Sequence, residues 1–182
     1  MTEIYKFPTT QRTGQLHAPF VFFRTSVPPE WIDEFEHLSF VHYVTIGGHA
    51  NSAFWNWVNG PEGAMEEREG HEYAIVENHV RCLNEIALGA HIHVSSQLID
   101  YDDKRYLLLN QIWKSEDGAL AATNEMKCLG FNLRSRRAEQ WRATVIERLE
   151  LVRNEQAELG VPCPRAALRL GKAKEASVIA DS

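Results

Sequence analysis

The sequence predicts an α+β domain in which one long helix is wrapped by an antiparallel β-sheet and followed by a C-terminal helix. Three observations support this. Apolar residues recur every three to four positions from Ser39 to Asn59, alternate with polar residues from about Tyr73 to Leu133, and return to the helical period at Trp141. Short turn signals separate the alternating segments, as in an antiparallel meander. A single helix ahead of such a meander is buried most simply by a sheet that curls around it.

Length, composition and charge restrict the class of protein. The chain has 182 residues, 44% hydrophobic and 24% charged, which suits a globular domain with its own core. A net charge of -6 argues against a broad nucleic-acid surface, which needs clustered Lys and Arg. Neither a signal peptide nor an apolar run of about 18 residues is recognisable. We therefore expect a cytoplasmic protein with no membrane partner and no nucleic-acid partner.

The three cysteines, Cys82, Cys128 and Cys163, match no zinc spacing and no paired disulfide framework. We expect them to be reduced thiols. Domain bounds follow from the pattern: residues 1–17 are expected to be a loose arm, 18–160 the folded domain, and 161–182 a peripheral or disordered tail.

The elements are expected in a simple order. A first strand over 18–27 is rich in phenylalanine and is stopped by Pro28-Pro29. The long helix follows and ends at Asn59-Gly60. An Asp-Gly turn at Asp117-Gly118 joins the last two long strands, and an amphipathic helix runs from Trp141 to near Gly160. The remaining strands are predicted over residues 73–83, 91–100, 105–114 and 119–133.

The long helix has three features that bear on function. Ser39 is the predicted N-cap, and Phe40 and Val44 begin the expected apolar face. Gly47-Gly48 lie inside the helix, where each costs about 1 kcal/mol relative to Ala. Either the helix is weak or kinked at this pair, or a small surface is needed there for close packing or for a ligand.

The segment from Trp31 to Val44 carries the groups best suited to chemistry. Asp33, Glu36 and His37 precede the helix N-terminus, where the first amides lack partners and the helix dipole favours negative charge. Such amides can polarise a carbonyl and stabilise an oxyanion, while a nearby carboxylate attacks the carbonyl or activates water. The same acidic residues also suit simple capping, and spacing alone favours that interpretation.

This segment resembles the hot-dog thioesterase family that includes 4-hydroxybenzoyl-CoA thioesterase, and it is most similar to a branch associated with carnitine breakdown. The family pattern is Asp-x-Asn-Gly-His-Met/Leu-Asn with a Tyr four residues on. The likeness extends from about Val27 to about Leu149 and implies the hot-dog fold. The residues that match the pattern are Asp33, His37, Leu38 and Tyr43, and further segments that resemble the family are Glu85–Gly89, Gln97–Arg105 and Leu120–Glu125.

The resemblance implies an acyl-CoA thioester hydrolase that releases CoA and a small carboxylic acid, with no metal and no cofactor. Asp33 would act as nucleophile or general base, and the backbone N–H of Phe40 would polarise the thioester carbonyl. Substrate contacts are implied for His37, Tyr43 and Ser39. The site in this family usually forms between two subunits, so a homodimer or a dimer of dimers is implied.

Three positions depart from the family pattern: Phe35 replaces Asn, Glu36 replaces Gly, and Ser39 replaces Asn. Glycine permits a positive φ, a freedom that we expect Glu36 to give up. Glu36 also adds a carboxylate that competes with Asp33 for the catalytic role, since two nearby carboxylates can divide acid and base roles. Alternatively, the protein is a non-catalytic acyl-CoA binder or sensor, or a hot-dog dehydratase or hydratase.

Arg134, Arg136 and Arg137 end the last strand. They either bind CoA phosphates, to which the guanidinium fork is suited, or form a solvated strand end. Glu77 lies on a strand that is expected to face the core, where we assign it a structural role.

Three histidines and three tryptophans have alternative interpretations. The histidines could hold a metal ion, although no acidic residue completes a ligand spacing. The tryptophans are expected in the core, but an aromatic wall could also hold a cationic acyl group by cation–π contact. These residues are His37, His42 and His49, and Trp31, Trp55 and Trp57.

Overall fold

The computed structural model describes residues 20–60, 68–160 and 168–171 and has the predicted α+β architecture. The elements are β1 (Phe20–Ser26), α1 (Phe40–Asn59), β2 (His71–Cys82), β3 (His91–Tyr101), β4 (Arg105–Lys114), β5 (Leu120–Asn132), β6 (Arg137–Ala138) and α2 (Ala143–Glu155). The strands pair antiparallel in the order β1-β3-β4-β5-β2, and a short β6 pairs with β5. The long α1 packs on one face of this sheet, and α2 extends the core.

The predicted arm, residues 1–17, lies outside the described residues, as does the tail apart from residues 168–171. That short stretch contacts the sheet. The Leu168 amide donates to the Glu125 carboxylate at 2.8 Å, and the Arg105 guanidinium donates to the Leu170 carbonyl at 2.8 Å.

Cys82 and Cys128 are free thiols, and Cys163 lies outside the described residues. None of the helices in the described part of the chain has the length and apolar character needed to cross a membrane.

Two clusters of apolar side chains form the core between α1 and the sheet. One lies under the C-terminal half of α1 and includes Trp55, Tyr106 and the buried face of α2. The other lies under the N-terminal half and includes Tyr43 and Ile46. The predicted face of the C-terminal helix is confirmed, since Trp141, Val145, Leu149 and Val152 are all buried.

The first turn of α1 differs from its prediction. Ser39 stands at the N-cap position, but its side chain makes no capping hydrogen bond with the described residues. Its backbone is extended, and its N–H donates to the Trp31 carbonyl at 2.8 Å. Phe40 and Val44 were expected on the buried face, yet they are 61% and 38% exposed. Phe40 is exposed because it lines an open pocket instead of the core.

The two glycines inside α1 play different roles. A Cβ on Gly47 would lie 2.5 Å from Cγ of Asn124, whereas a Cβ on Gly48 would meet no described atom within 4 Å. Close packing is therefore the explanation for Gly47. Asn124 and Asn110, fully buried on the sheet, donate hydrogen bonds to the carbonyls of Tyr43 and Gly47 at 3.2 and 3.3 Å.

Strand β2 forms one edge of the sheet and, within the described residues, pairs only with β5. Its central residues Ile75 and Val76 are 44% and 41% exposed. The prediction that Glu77 faces the core is wrong, because the register with β5 shifts between Ile75 and Glu77. Glu77 is exposed and forms an ion pair with Lys127.

We expect Gly47→Ala to lower the free energy of unfolding by about 1–3 kcal/mol, because the added methyl group overpacks the contact with Asn124. Gly48→Ala is the matched control and should raise that free energy by about 0.5–1 kcal/mol through helix propensity. Chemical denaturation of both variants measures the difference. Equal stabilisation by the two substitutions would contradict the close-packing explanation.

Candidate active site

A pocket of about 320 Å³ opens at the N-terminus of α1. Two chain segments form it: the loop before α1 together with the first turn of α1, and the end of β2 together with the residues that follow it. From the first segment the lining residues are Asp33, His37, Leu38, Phe40 and Tyr43, and from the second they are Cys82, Leu83, Asn84 and Glu85.

A tight backbone turn precedes α1. The Asp33 amide donates to the His37 carbonyl at 3.0 Å, and the Glu36 amide donates to the Asp33 carbonyl at 3.1 Å. Glu36 has a φ of 65°, in the left-handed region that glycine adopts easily. The expectation that Glu36 gives up this conformation is therefore wrong: the turn keeps the glycine-like backbone without a glycine. The Asp33 carboxylate accepts the Phe35 amide at 3.0 Å, which orients its side chain.

The turn is attached to the segment that follows β2. The Leu38 amide donates to the Ile86 carbonyl at 2.8 Å, and His37 forms a backbone bridge with Ala87. The side chains of the two segments also contact each other, since Nε2 of His37 lies 3.0 Å from Oε2 of Glu85. These contacts explain why two segments far apart in sequence share one pocket.

The start of α1 meets this pocket without a side-chain cap. The first amides of a helix have no acceptors within the helix, and the positive end of the dipole lies there. Phe40 is the first helical residue, so its N–H belongs to this group. The Asp33 carboxylate lines the same pocket. In general, unpaired helix amides can stabilise an oxyanion, and a carboxylate can act as nucleophile or base.

Two neutral side chains complete the chemistry of the pocket. Burial raises the pKa of Tyr43 to about 12, and nearby Cys82, Glu85 and Asp33 add to the shift. The Tyr43 hydroxyl is therefore a neutral hydrogen-bond donor near pH 7. Burial also raises the pKa of Cys82, so its thiol is protonated near neutral pH and is a poor nucleophile.

The pocket unites part of the predicted site. Glu36 and Ser39 are not among the described lining residues: Glu36 is exposed on the turn, and Ser39 links the turn to α1. The predicted site residues that line the pocket are Asp33, His37, Phe40 and Tyr43. The lining residues without a predicted role are Leu38, Cys82, Leu83, Asn84 and Glu85. Of these, Leu38 matches the family pattern and Glu85 begins a segment that resembles the family.

The arginine turn, Arg134–Arg137, lies at the other end of the sheet from the pocket. Both Leu83 and Asn84 donate backbone N–H groups to the Ala121 carbonyl, so the pocket lies beside the start of β5. The arginines follow the end of β5, 13 residues later. At about 3.3 Å per residue, this strand separates them from the pocket by about 40 Å. Within one chain, the arginine turn and the pocket do not meet.

The three histidines have separate partners. His42 stacks on Trp31 at 5.2 Å between ring centroids, His49 stacks on Phe23 at 5.4 Å, and His37 pairs with a carboxylate. Among the residues with described positions, no three His, Cys, Asp or Glu side chains form a metal-binding group.

The tryptophans do not line the described pocket. Trp55 and Trp57 are buried in the core, as expected, and Trp31 is half-buried against His42. The aromatic side chains at the pocket are instead Phe40 and Tyr43.

Comparisons with known proteins give a consistent family. A family model described as the thioesterase-like superfamily matches residues 27–149. The betainyl-CoA thioesterase of Pseudomonas aeruginosa is 27% identical over 140 residues, which are 77% of this chain and 87% of that protein. The L-carnitine dehydrogenase/betainyl-CoA thioesterase of Rhizobium meliloti is 28% identical over 145 residues, 80% of this chain but 29% of that longer protein.

A solved structure supports the same fold. A Staphylococcus aureus protein, determined in complex with CoA, superposes with a TM-score of 0.70 at 24% identity, covering 86% of this chain and 100% of that chain. The resemblance found in the sequence is thus confirmed, as is the predicted arrangement of a long helix, an antiparallel sheet and a C-terminal helix. The chain belongs to the thioesterase-like superfamily and has its hot-dog fold.

Proposed function

We propose that this protein hydrolyses an acyl-CoA thioester to CoA and a carboxylic acid. One observation carries the proposal: the uncapped first turn of α1 and the Asp33 carboxylate share a single pocket. The relatives support the substrate class, since two of them are named betainyl-CoA thioesterases and a similar structure contains CoA.

In the proposed reaction, the thioester carbonyl oxygen points toward the Phe40 N–H at the positive end of α1. Asp33 then acts in one of two ways. It attacks the carbonyl carbon, so that a C–O bond forms, the C–S bond breaks and water later hydrolyses the acyl anhydride. Alternatively, it removes a proton from a water molecule that attacks the carbon directly, after which the C–S bond breaks and CoA leaves as the thiolate. On both routes, negative charge develops on the oxygen beside the helix amides, which stabilise it.

Asp33 is favoured over Glu36 for this role. The Asp33 carboxylate lines the pocket, and its orientation is fixed by the Phe35 amide. Glu36 is exposed and contributes mainly its left-handed backbone.

We expect Asp33→Asn to lower kcat by about 10²–10⁴-fold, because Asn is a far weaker nucleophile and base. The fold should persist, since the Asn side-chain oxygen still accepts the Phe35 amide. Release of free thiol from acyl-CoA measures the effect, and Glu36→Gln is the matched control with an expected rate close to wild type. Full activity in Asp33→Asn combined with loss in Glu36→Gln would transfer the role to Glu36. Binding without thiol release by the wild-type protein would favour an acyl-CoA sensor.

We infer that the acyl group is cationic. A betainyl group carries a trimethylammonium, and quaternary ammonium groups bind aromatic faces and carboxylates. The pocket offers both, in the rings of Phe40 and Tyr43 and the carboxylates of Asp33 and Glu85. Of these, Glu85 has no assigned role in the chemistry; its Oε2 lies 3.0 Å from Nε2 of His37, and we assign its negative charge to recognition of the cation.

A pair of substrates with the same shape tests this inference. Betainyl-CoA and 3,3-dimethylbutanoyl-CoA differ only in that a quaternary nitrogen replaces a quaternary carbon. We expect wild-type kcat/KM to favour the cation by about five- to thirtyfold. Glu85→Gln should reduce this preference, whereas Glu34→Gln, which alters an exposed carboxylate outside the pocket, should not. If Glu85→Gln lowered kcat/KM equally for both substrates, Glu85 would act through its contact with His37 and not by binding the cation.

We further propose a homodimer formed through the edge of β2. A long, exposed apolar edge strand is normally covered or paired, and Ile75 and Val76 lie at its centre. Antiparallel two-fold pairing about this centre would place the partner subunit's His71 beside Cys82. The Leu133 amide donates to the Gly70 carbonyl at 2.8 Å, so the arginine turn lies next to the start of β2. The partner's arginine turn would thereby reach the pocket of this chain, which the chain's own arginine turn cannot reach.

Subunit complementation tests this arrangement. Arg134→Ala should raise KM for acyl-CoA by about tenfold, because a charge-assisted bond to a CoA phosphate is lost. Mixing this variant with inactive Asp33→Asn, after unfolding and refolding together, should create sites with both wild-type groups and restore activity at low substrate concentration. Failure of the mixture to exceed the sum of its components would contradict a site shared between subunits.

A further inference from the structure

A row of buried polar side chains crosses the sheet beneath α1. Ser96 on β3, Asn110 on β4 and Asn124 on β5 are direct cross-strand neighbours, and all three are buried. Apolar packing is not directional, whereas a hydrogen bond fixes the relative orientation of its two groups. The hydrogen bonds of this row can therefore fix the position of α1 on the sheet, which apolar contacts alone would not fix.

Two of these side chains contact successive turns of α1. Nδ2 of Asn124 donates to the Tyr43 carbonyl at 3.2 Å, and Nδ2 of Asn110 donates to the Gly47 carbonyl at 3.3 Å. The absence of a side chain on Gly47 permits this approach, because a Cβ there would collide with Asn124.

Both amides are oriented from the sheet side. The hydroxyl of Ser96 donates to Oδ1 of Asn110 at 2.7 Å, which leaves Nδ2 of Asn110 toward the helix. Likewise Nδ2 of Asn78, on the edge strand β2, donates to Oδ1 of Asn124 at 3.0 Å. With its oxygen occupied in this way, Asn124 presents a donor to the carbonyl of Tyr43.

The turn that Asn124 contacts is the turn that forms the site. Phe40 and Tyr43 are three residues apart on α1, and both line the pocket. A shift of about 1 Å in a catalytic group can lower the rate about 10²-fold. Asn110 contacts α1 one turn farther from the pocket, where the same shift affects packing more than chemistry.

We propose that Asn124, oriented by Asn78, is a positioning residue for the thioester-cleaving site: it fixes the first turn of α1, and with it the Phe40 N–H, against the sheet. This inference rests on the proposed function. Asn124 makes no contact with substrate in this role. The edge strand β2 influences the pocket through the hydrogen bond from Asn78 to Asn124 and the hydrogen bond from Asn124 to the Tyr43 carbonyl.

The test compares Asn124→Ala with Asn110→Ala, a matched loss of a buried amide on the neighbouring strand. Both variants should show similar decreases in the midpoint of thermal unfolding. Asn124→Ala should lower kcat by about 10–100-fold with KM little changed, because the misplaced amide affects the transition state. Asn110→Ala should keep kcat close to the wild-type value. Equal losses of kcat in the two variants, or a rise in KM alone in Asn124→Ala, would overturn the proposal.

A second measurement is independent of activity. The amides of residues 44–47 bond to the carbonyls of residues 40–43 within α1, so their hydrogen exchange reports on the first turn. Asn124→Ala should accelerate this exchange and Asn110→Ala should not; unchanged exchange in Asn124→Ala would refute the proposal even if the wild type proved to be no hydrolase. If Asn124→Ala fails to fold, Asn78→Ala is tested in its place, because it alters an exposed side chain. It should lower kcat and accelerate the exchange of residues 44–47, both to a smaller extent, and the absence of these effects would refute the proposal.

Discussion

The close approach of α1 to the sheet at Gly47 determines where the pocket lies. With no Cβ on that residue, the carboxamide of Asn124 fits between helix and strand and donates to the Tyr43 carbonyl. This contact fixes the distance between the N-terminal half of α1 and the sheet. Its first turn then extends to the segment after β2, which supplies the opposite wall of the pocket. Displacement of this contact would move Phe40 and Tyr43 together.

The loop before α1 departs from ordinary local preferences in two places, and both departures serve the pocket. An N-cap without its side-chain hydrogen bond forgoes about 1 kcal/mol of helix stability, and the extended Ser39 forgoes it here. A left-handed non-glycine residue costs about 1–2 kcal/mol, and Glu36 adopts this conformation. In the proposed function, the first departure leaves helix amides available to a substrate. The second departure belongs to the turn in which the Phe35 amide orients the Asp33 carboxylate. Local strain of this kind is typical of functional sites.

The fold was largely predictable from the sequence because periodicity reports directly on which face of an element is buried. The helix from Phe40 to Asn59 and the long strands follow from this pattern alone. Periodicity did not predict burial correctly where burial depends on tertiary packing. Phe40 continues the apolar stripe but lies at a pocket, and the register shift in β2 turns Glu77 outward. The conformation of Glu36 was also missed, because its residue type favours a negative φ, whereas the hydrogen-bonded turn from Asp33 to His37 has a left-handed residue at this position.

Only one of the two walls of the pocket could be predicted from the sequence. The residues from Asp33 to Tyr43 are contiguous and matched a family pattern, whereas Cys82 to Glu85 reach the pocket through pairing with a distant strand. In the proposed reaction, the N-terminus of α1 polarises the thioester carbonyl. Isotope-edited infrared spectroscopy of a ¹³C=O-labelled acyl-CoA bound to Asp33→Asn measures this polarisation directly. We expect a carbonyl stretch at lower frequency than in free acyl-CoA; an unshifted band in the bound complex would show that the helix N-terminus does not polarise the carbonyl.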